Sequence, residues 1–127
     1  MNILLLIGLG GFMGGLLRYS VSGFIHNWSK SLTFPFGTLT VNLIGCLLIG
    51  IFTQLAESRG IFSSEARSFV LNGLLGAFTT FSPFGNETVS LIKEGNDFLS
   101  FANIGLHLIL GLSAVWLGLR IISIPLN

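Results

Sequence analysis

The sequence predicts an all-α membrane protein of four transmembrane helices, with the third helix broken near residues 76–84. Three observations predict it. Only 9% of the 127 residues are charged; soluble domains carry about 25%, and a water-soluble fold of this size could not cover its surface with so few. The mean hydropathy is +0.85, and the apolar residues gather into four stretches near the ~20 residues a helix needs to cross the hydrocarbon core. Finally, Pro83 stands inside the third stretch, within Thr79-Thr80-Phe81-Ser82-Pro83-Phe84, and an interior proline removes a helical hydrogen bond.

The spans fall at residues 3–26, 37–57, 66–93 and 98–122, and together they form a single domain over 1–127. The first begins at Met1-Asn2-Ile3-Leu4, without the basic n-region or small-residue cleavage site of a signal peptide, so it is expected to be retained. His26 and Trp28 are placed in the loop after it, with Trp28 at a membrane surface. Pro35 stands where the second helix can begin. Ser63 or Ser64 is the expected N-cap of the third, with Glu65 in its first turn. Lys93-Glu94-Gly95-Asn96-Asp97 separates the third span from the fourth.

Several function classes are set aside. A net charge of +1 suggests neither nucleic acid nor a polybasic lipid patch. One cysteine, Cys46, excludes an intrachain disulfide framework and a multi-cysteine metal cluster. Gly8-x-Gly10 imitates a dinucleotide loop, but Met13 occupies the third glycine slot and no acidic residue precedes Glu57. No nucleophile–base pair has an orienting partner, so enzyme function is not expected.

Orientation is weakly specified. With the N-terminus inside, Arg59, Arg67 and Arg120 lie inside against Lys30 and Lys93 outside. Either another feature sets the topology or the chain inserts both ways, which would allow an antiparallel dimer. Gly10 with Gly14, and Gly11 with Gly15, have the small-xxx-small spacing that lets helices approach closely.

Polar groups inside spans are functional candidates because lipid makes them costly. Arg18 in the first span either snorkels to the interface or faces water. Thr38 and Asn42 share one face of the second span. Asn42 serves there either as a helix–helix clamp or as a donor lining an ion path. Glu87 and His107 are the remaining ionisable groups, near cavities rather than lipid. Pro83 leaves the Thr79 carbonyl without its helical donor. Such backbone is tolerated only in protein or beside a cavity, and it can ligate a hard cation such as Na⁺. The alternative is a kink repaired by the Thr79 or Thr80 hydroxyl. Phe81 and Phe84 lie three apart and can present positive ring edges to an anion, or simply pack.

These residues carry a family resemblance. Gly10-Gly11-Phe12-Met13-Gly14-Gly15-Leu16-Leu17-Arg18-Tyr19, Phe36-Gly37-Thr38-Leu39-Thr40-Val41-Asn42-Leu43-Ile44-Gly45 and Gly73-x-x-Gly76-x-x-Thr79-Thr80-Phe81-Ser82-x-Phe84-x-x-Glu87 together resemble the Fluc (CrcB) family of bacterial fluoride channels. The resemblance covers nearly the whole chain. It implies a multi-pass protein of the bacterial inner membrane, surrounded by lipid, that forms an antiparallel dual-topology homodimer and exports cytoplasmic fluoride passively through two pores. Phe81 and Phe84 would line the pores, with Asn42, Thr38 and Ser82 as polar neighbours. Arg18 would sit near an aqueous vestibule, with Glu87 and His107 adjacent to the pore. Carbonyls of Gly76 and Thr79 would hold a central structural Na⁺. The chain departs from the family at Pro83 and Gly85, where Thr and Ser are common, and carries His107 and Gly111 where some relatives have serines.

Two other classes compete. A small multidrug exporter also has four short spans, but needs a carboxylate in the first span, where this chain has only Arg18. A non-transporting assembly subunit would use Asn42, Pro83 and the glycines for packing alone.

Overall fold

A computed structural model describes residues 2–123, and every regular element in it is helical. Helix α1 (Ile3–Ser29) is capped by Asn2, whose side chain accepts from the Leu4 amide at 3.0 Å. It ends at Lys30 in the left-handed region, with φ 53°. His26, expected in the loop, lies in the last turn of α1 instead. Helix α2 (Phe36–Ser58) starts directly after Pro35. Its last turn is tied down when Arg67 Nη2 donates to the Ala56 carbonyl at 2.8 Å, a cation serving the orphan acceptors of a helix C-terminus.

The third span is assembled from pieces. Ser63 caps a short α3 (Ser64–Arg67) by accepting from the Ala66 amide at 3.2 Å. A π-helical segment (Ser68–Leu75) follows, then α4 (Gly76–Phe78). The chain leaves helical geometry at Thr79 and resumes it in α5 (Ser82–Lys93). Gly95 at φ 77° closes α5: its amide donates to Ile92 O, and the Asn96 amide to Leu91 O. Those two bonds define a Schellman stop, which requires the left-handed residue that glycine provides. Helix α6 (Asp97–Ser123) follows without a gap for a second crossing loop.

Helices α1 and α6, of 27 residues each, are about 40 Å long, and α2 is about 35 Å. All three are long and apolar enough to cross a membrane. Neither half of the third span is: α5 has 12 residues, about 18 Å of helix against a core of about 30 Å. The halves meet at the break, so the polar backbone there lies at membrane depth.

Glycines set the packing. A Cβ on Gly10 or Gly14 would strike the main chain of the π segment at Phe69 or Leu74, while Gly15 faces open space. The same exclusion joins α2 to α6, where Gly50 lies against Val115 and Gly118 against Leu47. Thus one of the two four-residue glycine pairs in α1 is a contact seam and the other is not. Large apolar side chains such as Phe12, Phe24, Phe98 and Phe101 stay exposed on the outer faces, as suits surfaces covered by lipid rather than water.

Candidate ion site at the broken helix

The break consists of Thr79, Thr80 and Phe81, with Thr79 extended at φ −80°, ψ 159°. Pro83 lies in the first turn of α5. There its missing amide is one of the orphans of a helix start, and its fixed φ favours the helix. The break falls inside the expected window of residues 76–84, and the Thr79 carbonyl lacks its helical donor as expected. The chain opens just upstream of the proline, and Pro83 starts the new half in the first turn of α5.

The carbonyls of Gly76 and Thr79 are among those left without their helical donors at the break. No backbone amide of the described residues donates to Thr79 O. The amide four residues after Gly76, that of Thr80, donates instead to Asn42 Oδ1 at 2.8 Å. Asn42 returns the bond, with Nδ2–H donating to Thr80 O at 2.9 Å. The amide of Asn42 therefore replaces the missing turn of helix for one residue, and one amide N–H remains to spare. The Thr79 hydroxyl donates to Leu75 O at 3.2 Å, a carbonyl that also accepts the Thr79 amide at 3.1 Å, so the hydroxyl does not stand in for the donor lost at the break.

Two clefts meet at Thr80, which lines both. The first, of about 650 Å³, is lined by Arg18, Tyr19, Ser22, His26, Thr38 and Glu87. Arg18 thus opens on a polar cleft from a half-buried position. Thr38, almost fully buried, donates its hydroxyl to Glu87 Oε1 at 2.7 Å. Glu87 Oε2 is buried and has no partner among the described residues. Thr38 and Asn42, one turn apart on α2, line different clefts and serve different partners.

The second cleft, of about 500 Å³, contains Asn42, Gly76, Thr79, Phe81, Phe84, His107 and Gly111. Phe81 and Phe84 meet edge to face, with centroids 5.4 Å apart at 62°. His107 lies 4.3 Å from the Phe84 ring. Its Nδ1 is 2.9 Å from the Asn103 carbonyl; a carbonyl only accepts, so Nδ1 carries the proton. His107 Nε2 is buried without a partner among the described residues. Phe81 is 79% exposed on the surface of the chain. Ser82 is exposed and lines neither cleft, apart from the other predicted polar neighbours.

Sequence reasoning passed over a buried cluster behind Phe84: Thr88, Ser100 and Asn103, linked by hydrogen bonds. The signal was available. Asn103 is an amide inside an apolar span, the same criterion that singled out Asn42.

Residues 5–119 match the family described as CrcB-like protein, Camphor Resistance (CrcB). The chain is 39% identical to a fluoride-specific ion channel FluC of Methylobacillus flagellatus, over 97% of this chain and 96% of the relative. It is 42% identical to the fluoride-specific ion channel FluC 1 of Methanosarcina acetivorans, over 93% and 88%. To the fluoride-specific ion channel FluC of Shewanella loihica it is 44% identical, over 96% and 97%. With three membrane-length helices, a fourth span built around a break, and matches along nearly its whole length, this chain is a multi-pass membrane protein that belongs to the CrcB-like family.

Proposed function

We propose that this protein is a fluoride-selective channel that lets cytoplasmic fluoride leave the cell passively, as an antiparallel dual-topology homodimer with two pores in the inner membrane. It is a conductor and not an enzyme. The observation that carries the reading is the Phe81–Phe84 edge pair set beside the Asn42–Thr80 clamp, in a chain whose relatives are named fluoride channels.

Fluoride holds its water tightly, so a path must offer donors in exchange. Asn42 has an uncommitted N–H beside Phe81 and Phe84, which supply positive ring edges. Fixed cationic rings are the ordinary anion filter, but a strong charge at the narrowest point would hold the ion. Arg18 stands in the wider cleft instead, where it draws anions inward. Near-equal basic charge on the two sides supports insertion in both directions. The 79% exposure of Phe81 supports a second protomer that completes the wall.

The Gly76 and Thr79 carbonyls fit a Na⁺ ion, because both have lost their helical donors and carbonyl oxygens suit a hard cation. Bound there, Na⁺ would supply positive charge that fixes the break.

The test is efflux from liposomes. Purified protein should release fluoride and retain chloride, with no requirement for a proton gradient. Vesicles that hold fluoride as tightly as protein-free ones would refute the proposal. Release of organic cations under a proton gradient would favour an exporter.

A further inference from the structure

A hydrogen-bonded cluster between α5 and α6 stands directly behind the aromatic pair. Asn103 is wholly buried, at 0% exposure, and its Nδ2–H donates to Thr88 Oγ1 at 2.9 Å. The Thr88 hydroxyl donates in turn to the Phe84 carbonyl at 2.7 Å. Ser100 Oγ donates to the Thr88 carbonyl at 3.1 Å. The backbone carbonyl of Asn103 accepts from His107 Nδ1–H, and the His107 ring lies against Phe84 at 4.3 Å. The main chain of Phe84 and the ring of His107 are therefore each hydrogen-bonded, on different helices, to Thr88 and to the Asn103 backbone.

The choice of residue at 103 matters. Asn103 Oδ1 is buried with no partner among the described residues. A leucine would fill a similar volume without any polar atom to desolvate, so an amide here is poorly explained by packing. What the amide adds is a donor to Thr88. With that lone pair occupied, the hydroxyl proton is directed to Phe84 O.

We propose that Asn103 and Thr88 are positioning residues for conduction, holding the Phe84 ring against His107 and so setting the aromatic wall that a passing anion meets. The inference rests on the fluoride-channel reading and assigns residues to that path which lie outside both clefts.

The experiment compares fluoride efflux and fluoride-over-chloride selectivity in liposomes for the wild type, Thr88→Val, Thr88→Ser and Asn103→Leu. Valine keeps the shape of threonine and loses the hydroxyl; serine keeps the hydroxyl and loses a methyl. Thr88→Val and Asn103→Leu should each slow fluoride by about tenfold and narrow its selectivity, with Thr88→Ser within about twofold of wild type. In a Phe84→Ile background, Thr88→Val should add little, because the cluster acts through that ring. Wild-type efflux and selectivity in Thr88→Val would overturn the proposal, as would a Thr88→Ser as slow as the valine variant. A readout independent of variant folding is the imidazole nitrogen spectrum of wild-type protein labelled at histidine. It should show His107 as the Nδ1–H tautomer, and an Nε2–H tautomer would overturn the arrangement. A wild type that releases no fluoride refutes the channel reading and this inference together; a conducting wild type with unchanged Thr88→Val refutes this inference alone.

Discussion

Asn42 and Thr80 exchange two hydrogen bonds across 38 residues of chain, at 2.9 and 2.8 Å, and so satisfy the peptide groups of Thr80 at the break. At membrane depth an unsatisfied amide or carbonyl is expensive. Asn42→Leu should leave both Thr80 groups unpaired at about 1–3 kcal/mol each, lower the melting temperature in detergent and abolish efflux. Asn42→Asp keeps the acceptor for the Thr80 amide and loses the donor to its carbonyl, so it should fall between. Equal melting temperatures for wild type and Asn42→Leu would show that the clamp contributes nothing.

The aromatic pair makes a separate prediction. Phe81→Ile and Phe84→Ile keep apolar volume and remove the quadrupole whose positive edge faces an anion. Each should slow fluoride efflux by about tenfold or more, while the size of the purified assembly stays that of wild type. The Phe84 variant also loses its stacking on His107 at 4.3 Å, so it should melt lower than the Phe81 variant, whose ring is largely exposed. Unchanged efflux in both variants removes the rings from the path.

The legible part of the fold was the part written in composition and periodic apolar runs. Helix α2, expected at residues 37–57, runs from Phe36 to Ser58, and Ser63 caps the third span as one of the two serines named for it. The break was legible through Pro83, and it falls at residues 79–81, within the expected 76–84. What was not legible is the partner of the opened backbone: the Thr80 peptide groups pair with Asn42 on another helix, a contact that only the tertiary fold brings together. His26 was misplaced because its polar neighbours Asn27, Ser29 and Lys30 read as a loop, although α1 simply runs on past the apolar stretch. The glycine seam was half legible for a similar reason. Spacing marks two faces of α1, and only the tertiary fold determines that Gly10 and Gly14 are the covered pair.

That seam is directly testable. A methyl on Gly14 would meet the Leu74 carbonyl, a main-chain atom that cannot turn aside, whereas Gly15 has nothing near it. Gly14→Ala should destabilise the protein by about 1–3 kcal/mol, the usual effect of overpacking. Gly15→Ala should be neutral or stabilising by up to about 1 kcal/mol, since alanine is the better helix former. Melting temperatures of the two variants in one detergent provide the comparison, and equal values would contradict the close approach of α1 to the π segment.

Glu87 offers a test of charge against hydrogen bonding. Its Oε1 accepts from the buried Thr38 hydroxyl and its Oε2 has no partner among the described residues. Glu87→Gln keeps the acceptor, removes any carboxylate charge and puts an N–H where the unpartnered oxygen stands. It should fold as the wild type does and conduct fluoride within about threefold of it. Glu87→Ala leaves Thr38 without an acceptor, which should lower stability by about 1–3 kcal/mol. If the glutamine variant conducts as poorly as the alanine variant, a carboxylate is required in the first cleft and not merely a partner for Thr38.

The Gly76 and Thr79 carbonyls give the last prediction, because a cation that binds only the folded break must stabilise it by mass action. Transfer from Na⁺ to a medium of a bulky organic cation should lower the melting temperature, and returning Na⁺ should restore it in proportion to the logarithm of its concentration. Na⁺ at about one hundred times its dissociation constant would stabilise the fold by about 2.7 kcal/mol. Potassium should substitute poorly if the carbonyls are held at a spacing suited to the smaller ion, since the break is fixed from outside by the Asn42 clamp. Asn42→Leu should therefore weaken the Na⁺ dependence as well as the fold. A melting temperature that ignores Na⁺ in wild-type protein would leave the two carbonyls with no ligand, and the break would rest on the Asn42 and Thr79 hydrogen bonds alone.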